Sequence, residues 1–326
     1  MDRKKMTYNA AIVGLGQIGQ GYDYCCKDGS LITTHASAYQ YHPSFNLVAG
    51  VDVSPKGCAK FEKKYNVETF SSVQNMMEKV KPDVVSIASP TPTHFNLFNQ
   101  IASYDPLAVL IEKPIALRVR EAETMLLDAQ KKDMGLVVNY VRRFEPGTNA
   151  LRKMIADGTV GDIYKGSVLY CKGLINNGSH FIDLLIYLLG SVRHIQMIQP
   201  GRDFDALGYN DGEPDFLIRF NDTDIIFQAT RSEYFSMGEV NLIGTKGTIY
   251  YGNGQIRYKQ TIPDPADNHY TLLQNKLTSI KTYFESYQYY VMEALYQYLE
   301  KDEKIKSDGE SAVGTLKIVQ NIMELR

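Results

Sequence analysis

This sequence has few cysteines, and its positive and negative charges are nearly balanced. The 326 residues include four cysteines, none in a CxxC pair or beside histidines at zinc-ligand spacing. We therefore expect no disulfide framework and no metal, but free thiols in a reducing, cytoplasmic compartment. The four are Cys25, Cys26, Cys58 and Cys171.

Neither a nucleic acid nor a membrane is an expected partner. The chain carries 35 Lys and Arg against 37 Asp and Glu, and the formal net charge of -2 is too small to attract either by bulk charge. No apolar run is long enough to span a bilayer. The basic residues at the start precede a short apolar run and a glycine loop, so we interpret them as a tail before the first strand.

Strands alternate with helices in the first third of the chain. Apolar runs predict buried strands at 8–13, 45–52, 83–88 and 108–112, and helices at about 56–64 and 93–103. This alternation is typical of an α/β fold with a doubly wound parallel sheet, the Rossmann type.

The pattern changes after Pro114. A helix is predicted at 118–132 and a strand at 135–140, and several strand-like runs joined by Gly, Asn and Asp turns follow between 161 and 258. These runs predict a large, open, mostly antiparallel sheet. Two helical stretches, 276–300 and 308–325, end the chain and can pack on either domain. We therefore predict one domain at 1–117 and a second domain at 118–326.

The sequence GLGQIG after the first strand fits the dinucleotide-binding pattern G-x-G-x-x-G. Its first glycine allows a tight turn, its second lets the backbone approach a pyrophosphate, and its third lets the following helix lie close to the strand. The free N–H groups of that helix can bind phosphates. The cofactor residues predicted here are Gly14, Gly16, Gln17, Ile18 and Gly19.

Asp52 ends the second strand, where its carboxylate can bind the adenosine ribose and repel a 2'-phosphate. This favours NAD over NADP, although Lys56 and Lys60 keep NADP open. The distance from Gly19 exceeds the usual ~20 residues. The excess predicts a loop and a short helix, either a surface insertion or a lid.

The loop SPTPTH follows the third predicted strand and borders the expected ligand crevice. Ser89, Pro90, Thr91 and His94 are predicted to face the cofactor. A lone histidine such as His94 is more often a structural hydrogen-bonding residue than a catalyst.

The tripeptide EKP ends the next strand at the same edge. Glu112 and Lys113 are placed at the crevice, and Lys113 is the strongest catalytic candidate. Pro114 can adopt a cis bond. A lysine is half neutral at pH 7 only if its pKa of ~10.4 falls by roughly 3 units, which costs about 4 kcal/mol. A histidine, at ~6.5, needs almost no shift to act as a base.

One such histidine stands in the segment INNGSHFIDLL. Ser179 or Asn177 can cap a helix on which His180 and Asp183 share a face. The simpler interpretation is a buried histidine satisfied by Asp183. The functional one is a neutral base, because a helix N-terminus disfavours the protonated ring.

Seven motifs stand in order along nearly the whole chain: AIVGLGQIG, GVD, ASPTPTH, EKPIA, NYVRRFEP, GSHFIDLL and NLIGTKGTI. Together they resemble the glucose–fructose oxidoreductase, inositol dehydrogenase and rhizopine-catabolism (Gfo/Idh/MocA) family. The resemblance implies hydride transfer between NAD or NADP and a sugar, cyclitol or nucleotide sugar. It also implies a homodimer or homotetramer formed through the open sheet face.

The resemblance also implies roles for single residues. Lys113 and His180 are the catalytic residues it indicates, and Arg143 is a cofactor residue. The substrate residues are expected to be Lys113, Arg142, Tyr170, Asn176, Asn177 and His180. Cationic groups such as Arg202 and Arg231 would suit a phosphate or uronate.

Asn176 departs from the family pattern, since many members have Asp four residues before the histidine. Asn cannot take a proton, so a proton relay rests on Lys113 and His180. The departure leaves a second hypothesis open, a sensor or regulator that binds the dinucleotide without turnover. The intact Lys113 and His180 favour an enzyme.

Overall fold

The computed structural model describes residues 7–26, 28–206, 208–267 and 269–326. The chain forms two compact units. The first runs through Phe144 and takes in Glu285–Leu316, and the second comprises Glu145–Phe284 and Lys317–Arg326. Within the described ranges, the model contains no helix with the length and apolar character that crossing a membrane requires.

The first unit contains a six-stranded parallel sheet in the order β3-β2-β1-β4-β5-β6. This is the Rossmann strand order, and the predicted doubly wound sheet is confirmed. Every residue of the last three strands is buried, as expected for a sheet covered on both faces. The strands are β1 (Tyr8–Val13), β2 (Phe45–Val51), β3 (Glu68–Phe70), β4 (Val84–Ile87), β5 (Ala108–Ile111) and β6 (Gly135–Val138).

Helices with apolar faces connect these strands. Ser54 caps α2 through its side chain, and Pro55 at the first helical position favours its start. The helices are α1 (His35–Tyr41), α2 (Pro55–Tyr65), α3 (Val73–Val80), α4 (His94–Ala102), α5 (Val119–Lys131) and, late in the chain, α8 (Tyr287–Lys301). A last helix, α9 (Gly309–Leu325), begins in this unit.

The first unit extends further along the chain than the predicted boundary near Leu117. The units divide after Phe144 because β6 pairs in parallel with β5, from Ala108↔Gly135 to Ile111↔Val138. Helix α5 and strand β6 therefore continue the α/β alternation. The sequence left open which domain the final helices pack on. Helix α8 belongs to the first unit.

The second unit holds the mostly antiparallel sheet that the sequence predicted. Its strand order is β14-β13-β12-β11-β7-β10-β9-β8, β15 pairs with β13, and β7 and β10 run parallel. The strands are β7 (Ile163–Tyr170), β8 (Val192–Ala206), β9 (Tyr209–Phe220), β10 (Thr223–Ala229), β11 (Gly238–Gly244), β12 (Gly247–Gly252), β13 (Gln255–Pro263), β14 (Thr271–Leu273) and β15 (Thr278–Ile280).

One face of this sheet forms the core of the second unit. A row of buried side chains crosses neighbouring strands and packs with the apolar residues of α7 (Ser179–Leu189). The row consists of Phe216, Phe227, Val168, Val240 and Tyr251. On the opposite face, Ile226 and Ile243 remain about 40% exposed. Helix α6 (Pro146–Ala156) completes the unit.

The predicted helix at 276–300 begins later in the structure. Residues Thr278–Ile280 form β15, since they pair with Ile256 to Tyr258 of β13, and α8 starts only at Tyr287. Long-range strand pairing therefore decides the conformation of the β-branched residues Thr278 and Ile280.

Candidate active site

The three glycines of the GLGQIG loop have different surroundings. Gly14 has a φ of 99°, and a Cβ there would stand 2.5 Å from the backbone nitrogen of Ser89. A Cβ on Gly19 would stand 2.1 Å from the carbonyl oxygen of Gly14. A Cβ on Gly16 would meet nothing within 4 Å. The outer glycines are therefore required by packing, whereas Gly16 faces open space that a ligand can enter.

The helix after this loop is a single turn. Gln17–Gly21 form a π-helical turn in which Tyr22 N–H donates to the Gln17 carbonyl at 2.9 Å. The buried side chain of Gln20 donates to the carbonyl oxygens of Leu15 and Gly57, each at 2.9 Å. The turn is thus held by a side chain instead of by a continuing helix.

The segment between this turn and β2 contains the loop and the short helix that were predicted. Asp23, only 2% exposed, accepts hydrogen bonds from Thr33 N, Thr34 N, Thr34 Oγ1 and Ser37 Oγ. These bonds join the start of the insertion to the first turn of α1. The insertion is therefore anchored at both ends by one buried carboxylate.

Asp52 lies at the rim of a pocket of about 500 Å³ in the first unit. Its Oδ2 accepts from Leu15 N at 2.6 Å, and its Oδ1 accepts from Ser54 N at 2.7 Å. Each oxygen of a carboxylate can accept a further hydrogen bond, so ribose hydroxyls fit here. The lining residues include Gly14, Gly16, Asp52, Ser72, Ser89 and Pro90.

His94 is fully buried and joins two loops. Its Nε2 lies 2.9 Å from the Ser89 carbonyl oxygen, and its Nδ1 lies 3.0 Å from that of Pro114. Burial lowers the pKa of His94, against the raising effect of these carbonyls. His94 therefore holds the SPTPTH loop against the EKP loop. Any effect of His94 on a bound cofactor comes from the positions of these two loops. The Lys113–Pro114 bond is cis, as anticipated.

Glu112 lies in a buried polar cluster at the end of β5. Its Oε1 accepts hydrogen bonds from His35 Nε2 at 2.9 Å and from Asn139 Nδ2 at 2.6 Å. Burial by itself raises the pKa of Glu112, but the bonds from His35 and Asn139 and the charge of Lys113 bring it below its ordinary value. Glu112 is thus an anion beside the half-exposed Lys113.

In the second unit, the turn before α7 has an unusual backbone. Lys172 and Gly173 both have positive φ, 65° and 82°. Buried Asp211 accepts from Ile175 N and Asn176 N, each at 2.9 Å. A Cβ on Gly173 would stand 2.0 Å from Asp211 Oδ2. Burial raises the pKa of Asp211, and the backbone N–H groups oppose that rise.

The asparagines of this turn have local roles. Asn176 Nδ2 donates to the Lys172 carbonyl at 3.0 Å, and Asn177 Nδ2 donates to that of Cys171 at 2.9 Å. An Asp at 176 would direct an acceptor at that carbonyl and a negative charge toward Asp211. The turn therefore provides a physical reason for Asn in place of the family's Asp. His180, in the first turn of α7, is half-buried.

Gly173→Ala is expected to lower the melting temperature by roughly 5–10 °C, since a loss of about 2–3 kcal/mol corresponds to a few degrees per kcal/mol. The substitution adds a positive-φ penalty and a clash with Asp211. Gly158→Ala is the matched control, because Gly158 also has a positive φ (68°) but open space at its Cβ position. Equal losses in thermal unfolding would show that the Asp211 contact contributes nothing.

Comparison with known proteins gives the first unit a family. Residues 8–140 match the model of an oxidoreductase family with an NAD-binding Rossmann fold, GFO_IDH_MocA. These residues belong to the Gfo/Idh/MocA family. The resemblance inferred from the motifs is thereby confirmed for residues 8–140.

Curated relatives are similar over about half of their own length. D-glucoside 3-dehydrogenase of Escherichia coli (strain K12) is 28% identical over 200 residues, covering 55% of this chain and 53% of that protein. Inositol 2-dehydrogenase of Rhizobium meliloti (strain 1021) is 30% identical over 161 residues, covering 48% and 43%.

Solved structures extend the likeness in fold to nearly the whole chain. UDP-N-acetylglucosamine 3-dehydrogenase GnnA of Acidithiobacillus ferrooxidans superposes with a TM-score of 0.77, at 16% identity and over 98% of this chain and 97% of that one. The WlbA dehydrogenase of Bordetella pertussis, in complex with NADH and UDP-GlcNAcA, gives 0.75 at 19% identity, over 98% and 95%.

Two of the predicted ligand residues make structural contacts within their own units. Tyr170 was expected to bind substrate, but it is fully buried in the core and its hydroxyl donates to the Pro214 carbonyl at 2.6 Å. Arg143 was expected to bind cofactor, but it is 6% exposed and donates to the Lys306 carbonyl at 3.1 Å. Arg142, its neighbour, is half-buried.

Proposed function

We propose that this chain is an NAD-dependent oxidoreductase that transfers a hydride between the cofactor and a secondary hydroxyl or carbonyl of a sugar-like molecule. One observation of the first unit carries the proposal. The glycine loop follows β1, Asp52 follows β2 and Lys113 follows β5 of the same parallel sheet. The carboxyl ends of parallel strands meet at one edge, which is where such folds bind their ligands.

The residues present suit a dinucleotide. Gly16 leaves room for a pyrophosphate, Asp52 offers acceptors to a ribose, and the pocket between them is open. Gln17, Ile18, Ser89 and Thr91 would complete its surroundings. When bound, the nicotinamide ring supplies the hydride acceptor or donor.

The cofactor is NAD in this proposal, because Asp52 would repel the 2'-phosphate of NADP. Asp52→Asn is expected to narrow the preference for NAD over NADP by about tenfold, equivalent to about 1.4 kcal/mol. The dissociation constants of both cofactors, measured by calorimetry, check this. Asp105→Asn removes an exposed carboxylate elsewhere in the unit and is the control. An unchanged ratio in Asp52→Asn would contradict the assignment.

Lys113 and His180 carry the proton chemistry in this proposal, on the strength of the family resemblance. In oxidation, His180 takes the hydroxyl proton while the carbon gives up its hydride, so a carbonyl and a protonated histidine result. Lys113 donates a hydrogen bond to the reacting substrate oxygen and stabilises developing negative charge. In reduction, protonated Lys113 or His180 returns the proton.

The substrate that we propose first is a neutral polyol, sugar or cyclitol. Nucleotide sugars are the second candidate class. The relatives act, by their names, on a glucoside, an inositol and a nucleotide sugar. Arg202, a candidate for an anionic substrate, already binds Glu213 at 2.6 Å and Glu233 at 2.8 Å. Arg231 lies 3.7 Å from Glu233. Cations neutralised in this way favour an uncharged substrate.

The sensor hypothesis rests on Asn176, whose side-chain amide donates a hydrogen bond to the Lys172 carbonyl. An assay of nicotinamide absorbance with neutral cyclitols, free sugars and nucleotide sugars, in both reaction directions, tests the enzyme proposal. Tight cofactor binding without turnover on any of them would favour the sensor.

We further propose a homodimer or homotetramer through the open face of the large sheet. Ile226 and Ile243 are exposed there among charged pairs such as Arg219–Asp224 at 2.7 Å. Homodimer interfaces are more apolar than the rest of the surface, and the exposed isoleucines would contribute to such an interface. Light scattering of the purified protein checks the assembly.

A further inference from the structure

Glu112 of the EKP segment and three buried side chains form a closed ring of hydrogen bonds. His35 and Asn139 both contact Glu112 Oε1, as described above. Asn139 Nδ2 also lies 3.1 Å from Gln288 Oε1, and Gln288 Nε2 lies 3.4 Å from His35 Nδ1. His35, Asn139 and Gln288 are at most 1% exposed, and the Glu112 side chain is 12% exposed.

The ring fixes the position of each proton. A carboxylate oxygen accepts, so Asn139 must direct its NH2 group at Glu112, and the same group donates to Gln288 Oε1. Gln288 therefore directs its own NH2 group at His35 Nδ1. An amide NH2 can only donate, so Nδ1 must carry a lone pair. The single ring proton of His35 then lies on Nε2 and points at Glu112.

His35 is consequently a neutral donor and not a countercharge. Glu112 keeps a full negative charge, which two N–H donors on one oxygen stabilise. A buried anion next in sequence to Lys113 favours the charged form of that lysine, because opposite charges stabilise each other more strongly away from water.

The titratable groups that face Glu112 come from several elements of the first unit. His35 comes from α1, Lys113 is its neighbour in the chain, His94 begins α4 and Tyr287 begins α8. Around Tyr287 lie Tyr22, Asp23 and Arg142. Lys113 is the cation that the proposed chemistry uses.

We propose that His35 is a positioning residue that holds Glu112 ionised through the neutral ring with Asn139 and Gln288, and that Glu112 thereby keeps Lys113 in its ammonium form. This inference rests on the proposed role of Lys113. It assigns Lys113 to donating a hydrogen bond and a positive charge to the substrate oxygen. The role of base then belongs to a different group.

The test measures the amine of Lys113 directly, in the protein without cofactor. Only the neutral amine is acylated, so the rate at which acetic anhydride labels Lys113, followed by peptide mass spectrometry against pH, reports its titration. In Glu112→Gln the midpoint is expected to fall by about one unit or more, because the neighbouring negative charge is lost. Labelling of Lys113 near pH 8 then becomes about tenfold faster than in the wild type.

Variants of His35 separate a neutral donor from a countercharge. His35→Gln keeps a neutral N–H donor and an acceptor, so its Lys113 midpoint should equal that of the wild type. His35→Leu removes the donor, which raises the pKa of Glu112 and moves the Lys113 midpoint toward that of Glu112→Gln. If His35→Leu does not fold, Glu112→Gln and His35→Gln still decide the question.

Two results would overturn the inference. An unchanged Lys113 midpoint in Glu112→Gln would show that the two groups are not coupled. A midpoint in His35→Gln that departs from the wild type would show that His35 is not a neutral donor, and a rise would identify it as an imidazolium. Because the labelling needs no substrate, a failure of the proposed enzymatic function would appear separately, as absent turnover with normal titration.

Discussion

Replacement of Lys113 by Met should lower kcat by about a thousandfold while cofactor affinity stays within a few-fold of the wild type, a loss typical of a positioned acid or base. Met retains the length of the side chain but removes the ammonium group. The charge and the hydrogen bond that Lys113 offers to the substrate oxygen matter most when that oxygen becomes negative. Steady-state turnover and cofactor titration, measured on the same preparation, check both parts.

Lys131→Met is the control for this variant, since Lys131 is an exposed lysine on α5 of the same unit. It should leave kcat and cofactor affinity unchanged. A Lys113→Met protein that folds, binds cofactor and retains more than about a tenth of wild-type turnover would remove Lys113 from the chemistry, because a catalytic acid or base is worth at least about a hundredfold.

Gly16→Ala is expected to weaken dinucleotide binding by about a hundredfold or more, corresponding to about 2.7 kcal/mol, without loss of stability. A Cβ at this position meets no protein atom within 4 Å, so the fold accepts it. The methyl group instead enters the space through which a pyrophosphate approaches the backbone. Cofactor titration and thermal unfolding of the apo protein measure the two effects independently.

Two further glycine substitutions serve as controls for Gly16→Ala. A Cβ on Gly314, in α9, would also meet nothing within 4 Å. Gly314→Ala should therefore weaken neither cofactor binding nor thermal stability. Gly14→Ala should destabilise the protein itself, because its Cβ would stand 2.5 Å from Ser89 N at a φ of 99°. Normal cofactor affinity in Gly16→Ala would exclude this loop as the pyrophosphate site.

Local patterns in the sequence revealed most of the first unit. Four of its strands are apolar runs with turn residues at their ends, and periodicity detects such runs. Strand β3 was not anticipated, because its three residues, Glu68–Phe70, are all exposed or half-exposed and too short for a period. The boundary near Leu117 failed to include β6 because only its pairing with β5 shows where the sheet ends.

The contacts that support the candidate site could not be predicted from motifs. His35, Asn139 and Gln288 lie 77, 27 and 176 residues from Glu112 along the chain. Asp211, which holds the turn at Asn176, is 35 residues away from it. Although Asn139 begins the motif NYVRRFEP, the roles of these residues come from burial and long-range contacts that no local pattern shows. Tyr170 is the opposite case: it was predicted to bind substrate, but it is buried in the core.

The proposed reaction moves a hydride between a nicotinamide and a carbon of a sugar-like molecule. Reduced nicotinamide cofactor carrying deuterium at its transferable position, incubated with the protein and a mixture of keto-sugars and keto-cyclitols, tests it by mass spectrometry. We expect at least one carbonyl compound to gain a single deuterium on carbon, and Lys113→Met to prevent the gain. A protein that binds the cofactor but transfers no deuterium to any of them would contradict it.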